Sequence, residues 1–181
     1  MCPAICPGRS ASKTALAKPC DRTLRDGEQT LGVSFTCEEK MEIAGLLDGI
    51  GLEVIEGGFP AVSSSEQEAV KAICRMGLDA RICALSRAKK EDIDAALDCG
   101  VDMVSVFLPT SDLHIRHKYA RPRDEVLKEA MAMVEYAHVH GVQVRFGAER
   151  WFSNAPFISY ATARTACQAT LAICSLSYEL Q

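Results

Sequence analysis

Short apolar runs, each followed by a longer amphipathic stretch that ends at a glycine, recur through most of this chain, and that rhythm leaves few folds open. Glu53-Val54-Ile55-Glu56 reads as a strand, as do Ala80 to Leu85, Val101 to Leu108 and Val142 to Phe146. Such mostly apolar runs suit parallel strands buried on both faces. An earlier strand just before Thr23 is expected too, weakened by Pro19. Helices lie between the runs. Thr36 and Glu39 have capping-box spacing and open a helix through Leu47, with Gly49 and Gly51 at its end. Others run from about Ser65 to Met76, from about Lys89 to Cys99 and from about Arg123 to His140, closed by Gly77, Gly100 and Gly141.

Strand–helix alternation with right-handed crossovers makes a parallel sheet. Two α/β architectures fit: an open doubly wound sheet of five strands, or an incomplete (β/α)8 TIM barrel of about five strands and four to five helices. Spacing alone does not choose between them. The polar residues favour the barrel. Arg25 and Asp26 follow the first strand, Glu56 closes the second, and Ser86 and Arg87 follow the third. Ser111, Asp112 and His114 follow the fourth, and Glu149 the fifth. In a barrel all of them lie at the C-terminal mouth, where barrel enzymes keep their chemistry. A doubly wound nucleotide binder wants a glycine-rich turn after its first strand. Here that turn is Asp26-Gly27-Glu28-Gln29, which offers charges rather than bare amides.

Composition narrows the function classes. The 181 residues are 48% hydrophobic and 24% charged, as in an ordinary soluble domain. A net charge of −4 gives no reason to expect nucleic acid or an anionic membrane as partner. No apolar run approaches the roughly 18 residues of a membrane span. Residues 1–16 read as a disordered tail without the apolar centre of a secretion signal. The nine cysteines are odd in number and form no CxxC pair, which fits a reducing cytoplasm.

The densest motif is Asp21-Arg22-Thr23-Leu24-Arg25-Asp26-Gly27-Glu28-Gln29. It resembles the motif of the homocitrate synthase and 2-isopropylmalate synthase family, metal-dependent acyltransferase TIM barrels with a pyruvate carboxyltransferase-like domain. Citramalate synthases belong to the same group, and the more distant 3-hydroxy-3-methylglutaryl-CoA lyases share the Arg-Asp pair. The segments Val54 to Ser63, Ala84 to Ala88, Thr110 to Lys118 and Val144 to Glu149 resemble the family's later strands and loops. The likeness covers residues 17–149, the front of a catalytic barrel.

The resemblance implies a Claisen condensation of acetyl-CoA with a 2-oxo acid in amino-acid biosynthesis. It implies a divalent ion (Mg²⁺, Mn²⁺ or Zn²⁺) that polarises the keto group, with Asp26 as metal ligand. Arg25 and Glu149 would be catalytic, Arg25 by stabilising enolate or alkoxide charge and Glu149 by acid–base or orienting work. Gln29, Glu56, His114 and Arg116 would contact substrate. The favoured 2-oxo acid is 2-oxoglutarate, giving homocitrate, because Val144-Arg145-Phe146 and Arg116 look like homocitrate synthases. Arg116 or Arg87 would then meet its second carboxylate. The alternatives are 2-isopropylmalate or citramalate synthesis, and a catalytically inactive fragment. A homodimer is implied for the full-length form. His138-x-His140 has the family's ligand spacing but sits at a helix end, where positions two apart diverge by about 200°. The family's own pair belongs to a seventh strand.

The resemblance stops after Glu149. The family continues Asp-Gly/Ala-Ser-Arg-Thr/Ala-Asp, whereas this chain reads Arg150-Trp151-Phe152-Ser153-Asn154. Residues 150–181 are expected to carry no βα rhythm and to be an aberrant tail, non-homologous to the family. If Arg150 to Asn154 were encoded CGA TGG TTC TCG AAC before a G, loss of the first C would read Asp-Gly-Ser-Arg-Thr. A one-base frameshift is therefore the expectation. A barrel cut there would expose an open edge, and low activity is expected of the chain alone.

Overall fold

The computed structural model describes residues 19–109, 120–149 and 173–175. Strand β1 is only Cys20–Asp21, and the chain turns at once into a one-turn helix, α1, Thr23–Asp26, and a 3₁₀ turn, Gly27–Gln29. There follow α2 (Cys37–Gly49), β2 (Val54–Gly58), α3 (Ser64–Cys74), β3 (Arg81–Arg87) and α4 (Lys90–Leu97). Next come β4 (Met103–Pro109), α5 (Arg123–Val139), β5 (Gln143–Glu149) and β6 (Ile173–Ser175). The expected disordered tail at 1–16, most of the expected aberrant tail, His114 and Arg116 lie outside the described residues.

All neighbouring strands are parallel and pair in chain order, β1 to β6. A doubly wound sheet would reverse its strand order at a switch point. Unbroken sequential order belongs to a barrel, so the chain forms part of a (β/α)8 barrel, with β1 and β6 as edges among the described residues. Ile173–Ser175 pairs with β5 through Arg145, Phe146 and Gly147, so a strand does exist beyond Glu149. A short strand beside a ready-made neighbour needs only backbone groups in register, and three residues leave little periodicity in sequence.

The other strands start later and end later than their apolar runs. Register persists to Arg87 opposite Phe107 and to Pro109 opposite Glu149. A parallel ladder bonds backbone groups and so continues beneath polar side chains. Helix α2 begins as expected. Thr36 Oγ1 accepts from the Glu39 N–H at 3.2 Å, and Glu39 Oε2 accepts from the Thr36 N–H at 2.7 Å.

The alternation of the strands sorts residues onto two faces. Ile55, Ile82, Val104, Val106, Val144 and Phe146 point outward into one core shared with the helices. Val54, Cys83 and Met103, with Cys20 packed against them, form a separate apolar floor on the inner face. By the same alternation Glu56, Ser105 and Arg145 stand on that inner face, one step nearer the mouth. No helix among the described residues is long and apolar enough to cross a membrane.

Candidate active site

Burying Glu56 without a partner would be costly, because a desolvated carboxylate loses several kcal/mol of hydration. The fold meets that cost with two arginines. Glu56 is wholly buried in β2, and its Oε1 accepts from Arg25 Nε at 2.5 Å. Its Oε2 accepts from Arg145 Nη2 at 3.0 Å, across from β5. Arg145 Nε also donates to Ser105 Oγ on β4 at 3.3 Å. Arg25 and Arg145 are themselves mostly buried, with side chains 11% and 12% exposed. Two guanidiniums thus share one carboxylate at the centre of the half-barrel, held with little contact with water.

Arg25 also reaches outward. Its Nη1 donates to Asp26 Oδ1 at 2.6 Å, and Arg22 Nη2 approaches Asp26 Oδ2 at 3.8 Å. Asp26 is 37% exposed. A cleft of about 340 Å³ opens beside Arg22, Thr23, Asp26 and Gly27. The local fold explains this placement. The Asp21 carboxylate accepts from the Thr23 N–H at 2.8 Å and from Thr23 Oγ1 at 3.1 Å, turning the chain directly from β1 into α1. Adjacent helical positions diverge by about 100°, which sends Arg25 inward and Asp26 to the cleft.

The structure thus joins Arg25, Asp26 and Glu56 of the expected set. Gln29 stands exposed at the end of the 3₁₀ turn. Glu149 is the last residue of β5, in register with Pro109 at the mouth end, while its side chain lies outside what is described. Arg87, considered for a substrate carboxylate, is held by Asp92 of α4. Its Nε donates to Oδ2 at 2.5 Å and its Nη2 to Oδ1 at 2.8 Å. Its guanidinium also lies 5.7 Å from the Phe59 ring centre. His140 Nδ1 lies 2.7 Å from the Tyr136 carbonyl oxygen, a helix-end contact.

Arg145 and Ser105 join the site through the fold, beyond the residues expected from the sequence. The signal for Arg145 was present in the sequence, as a lone cation inside an apolar strand run. Its environment favours the charged form. Burial works against the guanidinium, but its neighbours, the Glu56 carboxylate among them, outweigh that and raise its pKa. The Cys20 thiol is pushed up by burial despite Arg145 beside it, and the Cys83 thiol is pushed up by burial and then by Glu56. Both remain neutral thiols at physiological pH.

A divalent ion is poorly provided for by these residues alone. Asp26 offers one hard oxygen donor at an open cleft, which suits Mg²⁺ or Mn²⁺ as a single ligand. No group of three or more His, Cys, Asp or Glu side chains able to hold an ion occurs among the described residues.

Comparison with known proteins agrees with this geometry. The HMGL-like family pattern matches residues 17–176, running past Glu149 and across β6. Homocitrate synthase AksA of Methanosarcina acetivorans is 57% identical over 130 residues, which are 72% of this chain and 32% of that protein. The 2-isopropylmalate synthase of Methanocaldococcus jannaschii is 54% identical over 129 residues, 71% of this chain and 25% of that protein. The chain therefore spans a third or less of the length of these relatives. Among solved structures, the HMG-CoA lyase of Bacillus subtilis superposes with a TM-score of 0.63 at 20% identity, over 82% of this chain and 52% of that one. The hydroxymethylglutaryl-CoA lyase of Pseudomonas aeruginosa gives 0.65 at 22% identity, over 83% and 53%. Barrel order, mouth chemistry and these matches agree: the chain belongs to the HMGL-like family.

Proposed function

We propose that this chain is the front part of an acetyl-CoA-dependent acyltransferase that condenses the acetyl group with a 2-oxo acid. The observation that carries the reading is the buried Arg25–Glu56–Arg145 triad opening through Asp26 to a cleft at the barrel mouth. A 2-oxo acid is anionic, and both the enolate and the new alkoxide concentrate negative charge on oxygen. Guanidiniums already fixed in place and largely out of water stabilise that charge more than water does. Arg25 is the catalytic cation in this reading, and Glu56 fixes the plane of its guanidinium. Asp26 is proposed as one oxygen ligand of a divalent ion, which when bound would polarise the keto group. Gln29, His114 and Arg116 are proposed substrate contacts, and Glu149 the acid–base or orienting group.

Within that class 2-oxoglutarate is the favoured substrate, on the likeness of Val144-Arg145-Phe146 and Arg116 to homocitrate synthases. The alternatives are 2-oxoisovalerate and pyruvate, because a 2-isopropylmalate synthase and a putative (R)-citramalate synthase of Methanothermobacter thermautotrophicus match at 54% and 50%. A thermal shift of the full chain with Mg²⁺ and each 2-oxo acid tests this. We expect 2-oxoglutarate to raise Tm most, and Arg25→Met to abolish the rise. No shift with any 2-oxo acid, or an unchanged shift in R25M, overturns the reading.

The division into 1–16, 17–149 and 150–181 belongs to the same proposal, with the last segment translated out of frame. Sequencing the coding DNA across the codons for Ala148 to Asn154 decides it. A shifted frame that continues the barrel supports the division, and the absence of one in every frame refutes it.

A further inference from the structure

Lys40 is the largest fully buried side chain in the molecule's described residues and lies outside the site just described. Leaving an ammonium 1% exposed demands partners. It has two. Its Nζ lies 2.7 Å from Glu28 Oε2 and 2.6 Å from Glu66 Oε2. The two carboxylates come from different mouth elements, and each uses its other oxygen to hold backbone. Glu28 Oε1 accepts from the Phe35 N–H at 2.9 Å, and Glu66 Oε1 accepts from the Phe59 N–H at 3.0 Å.

Glu28 sits in the 3₁₀ turn, two residues after Asp26 and beside Gln29. Glu66 sits in the first turn of α3 and fastens the loop that leaves β2 two residues beyond Glu56. The close approach of Glu66 requires Gly58. A Cβ there would overlap the Glu66 carboxylate and stand 2.9 Å from Val70 Cγ2. Phe59, once fixed, packs edge-on against Phe107 of β4 at 6.1 Å between ring centres. A single buried cation therefore stands between the loop that carries Arg25 and Asp26 and the loop that follows Glu56.

We propose that Lys40 is a positioning residue that couples these two mouth loops, so that displacing one displaces the other. Without the ammonium, Glu28 and Glu66 would face each other as like charges with little water to screen them. The functional consequence rests on the acyltransferase reading above, but the coupling itself does not.

Amide hydrogen exchange on the full chain tests the coupling, because the Phe35 and Phe59 N–H groups report each carboxylate separately. Glu66→Gln is expected to speed exchange at Phe59, which it touches, and at Phe35, which it does not, by about tenfold. Glu28→Gln should do the reverse, reaching Phe59 from the other side. Lys40→Met should speed both, and Lys40→Arg should retain most of the protection. If Lys40→Met fails to fold, the two glutamate variants still decide. Exchange confined to each variant's own loop overturns the proposal, as does a uniform increase that includes the core amides of Val104 and Val106. Added 2-oxoglutarate should slow both amides in the wild type and only Phe35 in E66Q. Slowing at neither in the wild type counts against the acyltransferase reading, and the ligand-free comparison then decides the role of Lys40.

Discussion

The two faces of the sheet are made of the same strands and do opposite work. The outer face is apolar from β2 to β5 and is sealed by helices into one core. The inner face has a small apolar floor, Val54, Cys83 and Met103, and above it a carboxylate held between two arginines. Outside, stability comes from area removed from water, about 25 cal/mol per Å². Inside, the same strands hold charges whose desolvation is only offset by pairing. The contrast teaches that the barrel keeps its interior charged at the expense of stability, which the outer face supplies.

The largest effect is expected where pairing fails. Glu56→Leu leaves two buried guanidiniums facing each other and should cost about 3–5 kcal/mol in urea unfolding. Replacing Arg25 and Arg145 by Met in the same variant should recover most of that loss, since an apolar substitute for a buried ion network is often neutral. If the triple variant is no more stable than E56L, the interior charges are not the destabilising element and the comparison breaks.

The outer face predicts a loss of the ordinary packing kind. Ile82→Ala, 3% exposed beneath α3 and α4, should cost about 2–4 kcal/mol with no recovery by any charge change. Its 2-oxo acid response should be that of the wild type once Tm is corrected for. A lost response would mean that the two faces are not separable.

Thr36→Ala removes half of the capping box of α2 and should cost about 1 kcal/mol, read by the same unfolding experiment.

The smallest effect concerns thiols near the outer core. Burial pushes Cys74 up to about 12 and Cys99 up to about 11. Each folded value lies above the unfolded one, so the stabilisation is fully present below about pH 9 and is lost as pH rises through 11 to 12. Cys99 is buried but Cys74 is only partly so, and the share of the slope due to Cys74 should be shallow. Stability measured from pH 8 to 11 should fall gently in the wild type and less in Cys74→Ala. A rise with pH would contradict the direction of both shifts.

The sequence was informative where chemistry is local. The capping box at Thr36 and Glu39 formed as written, and the helices ended within a few residues of Gly49, Gly77, Gly100 and Gly141. Strand limits were less legible, since the ladder runs on to Gly58, Arg87 and Glu149 beyond the apolar runs. β6 was missed because three residues carry no period. In the site, Arg25, Asp26 and Glu56 were readable from one dense motif and one strand end.

By itself, then, the sequence determined the order of strands and helices, the mouth position of the polar residues and the family. These follow from periodicity and from contiguous motifs, which a chain displays without folding. Only the tertiary structure decided which charges meet. Glu56 lies 31 residues from Arg25 and 89 from Arg145, and Lys40 lies 26 from Glu66. No local pattern specifies a partner across such separations. The parallel register and the curl of the sheet do, by bringing β2 and β5 to face the same interior.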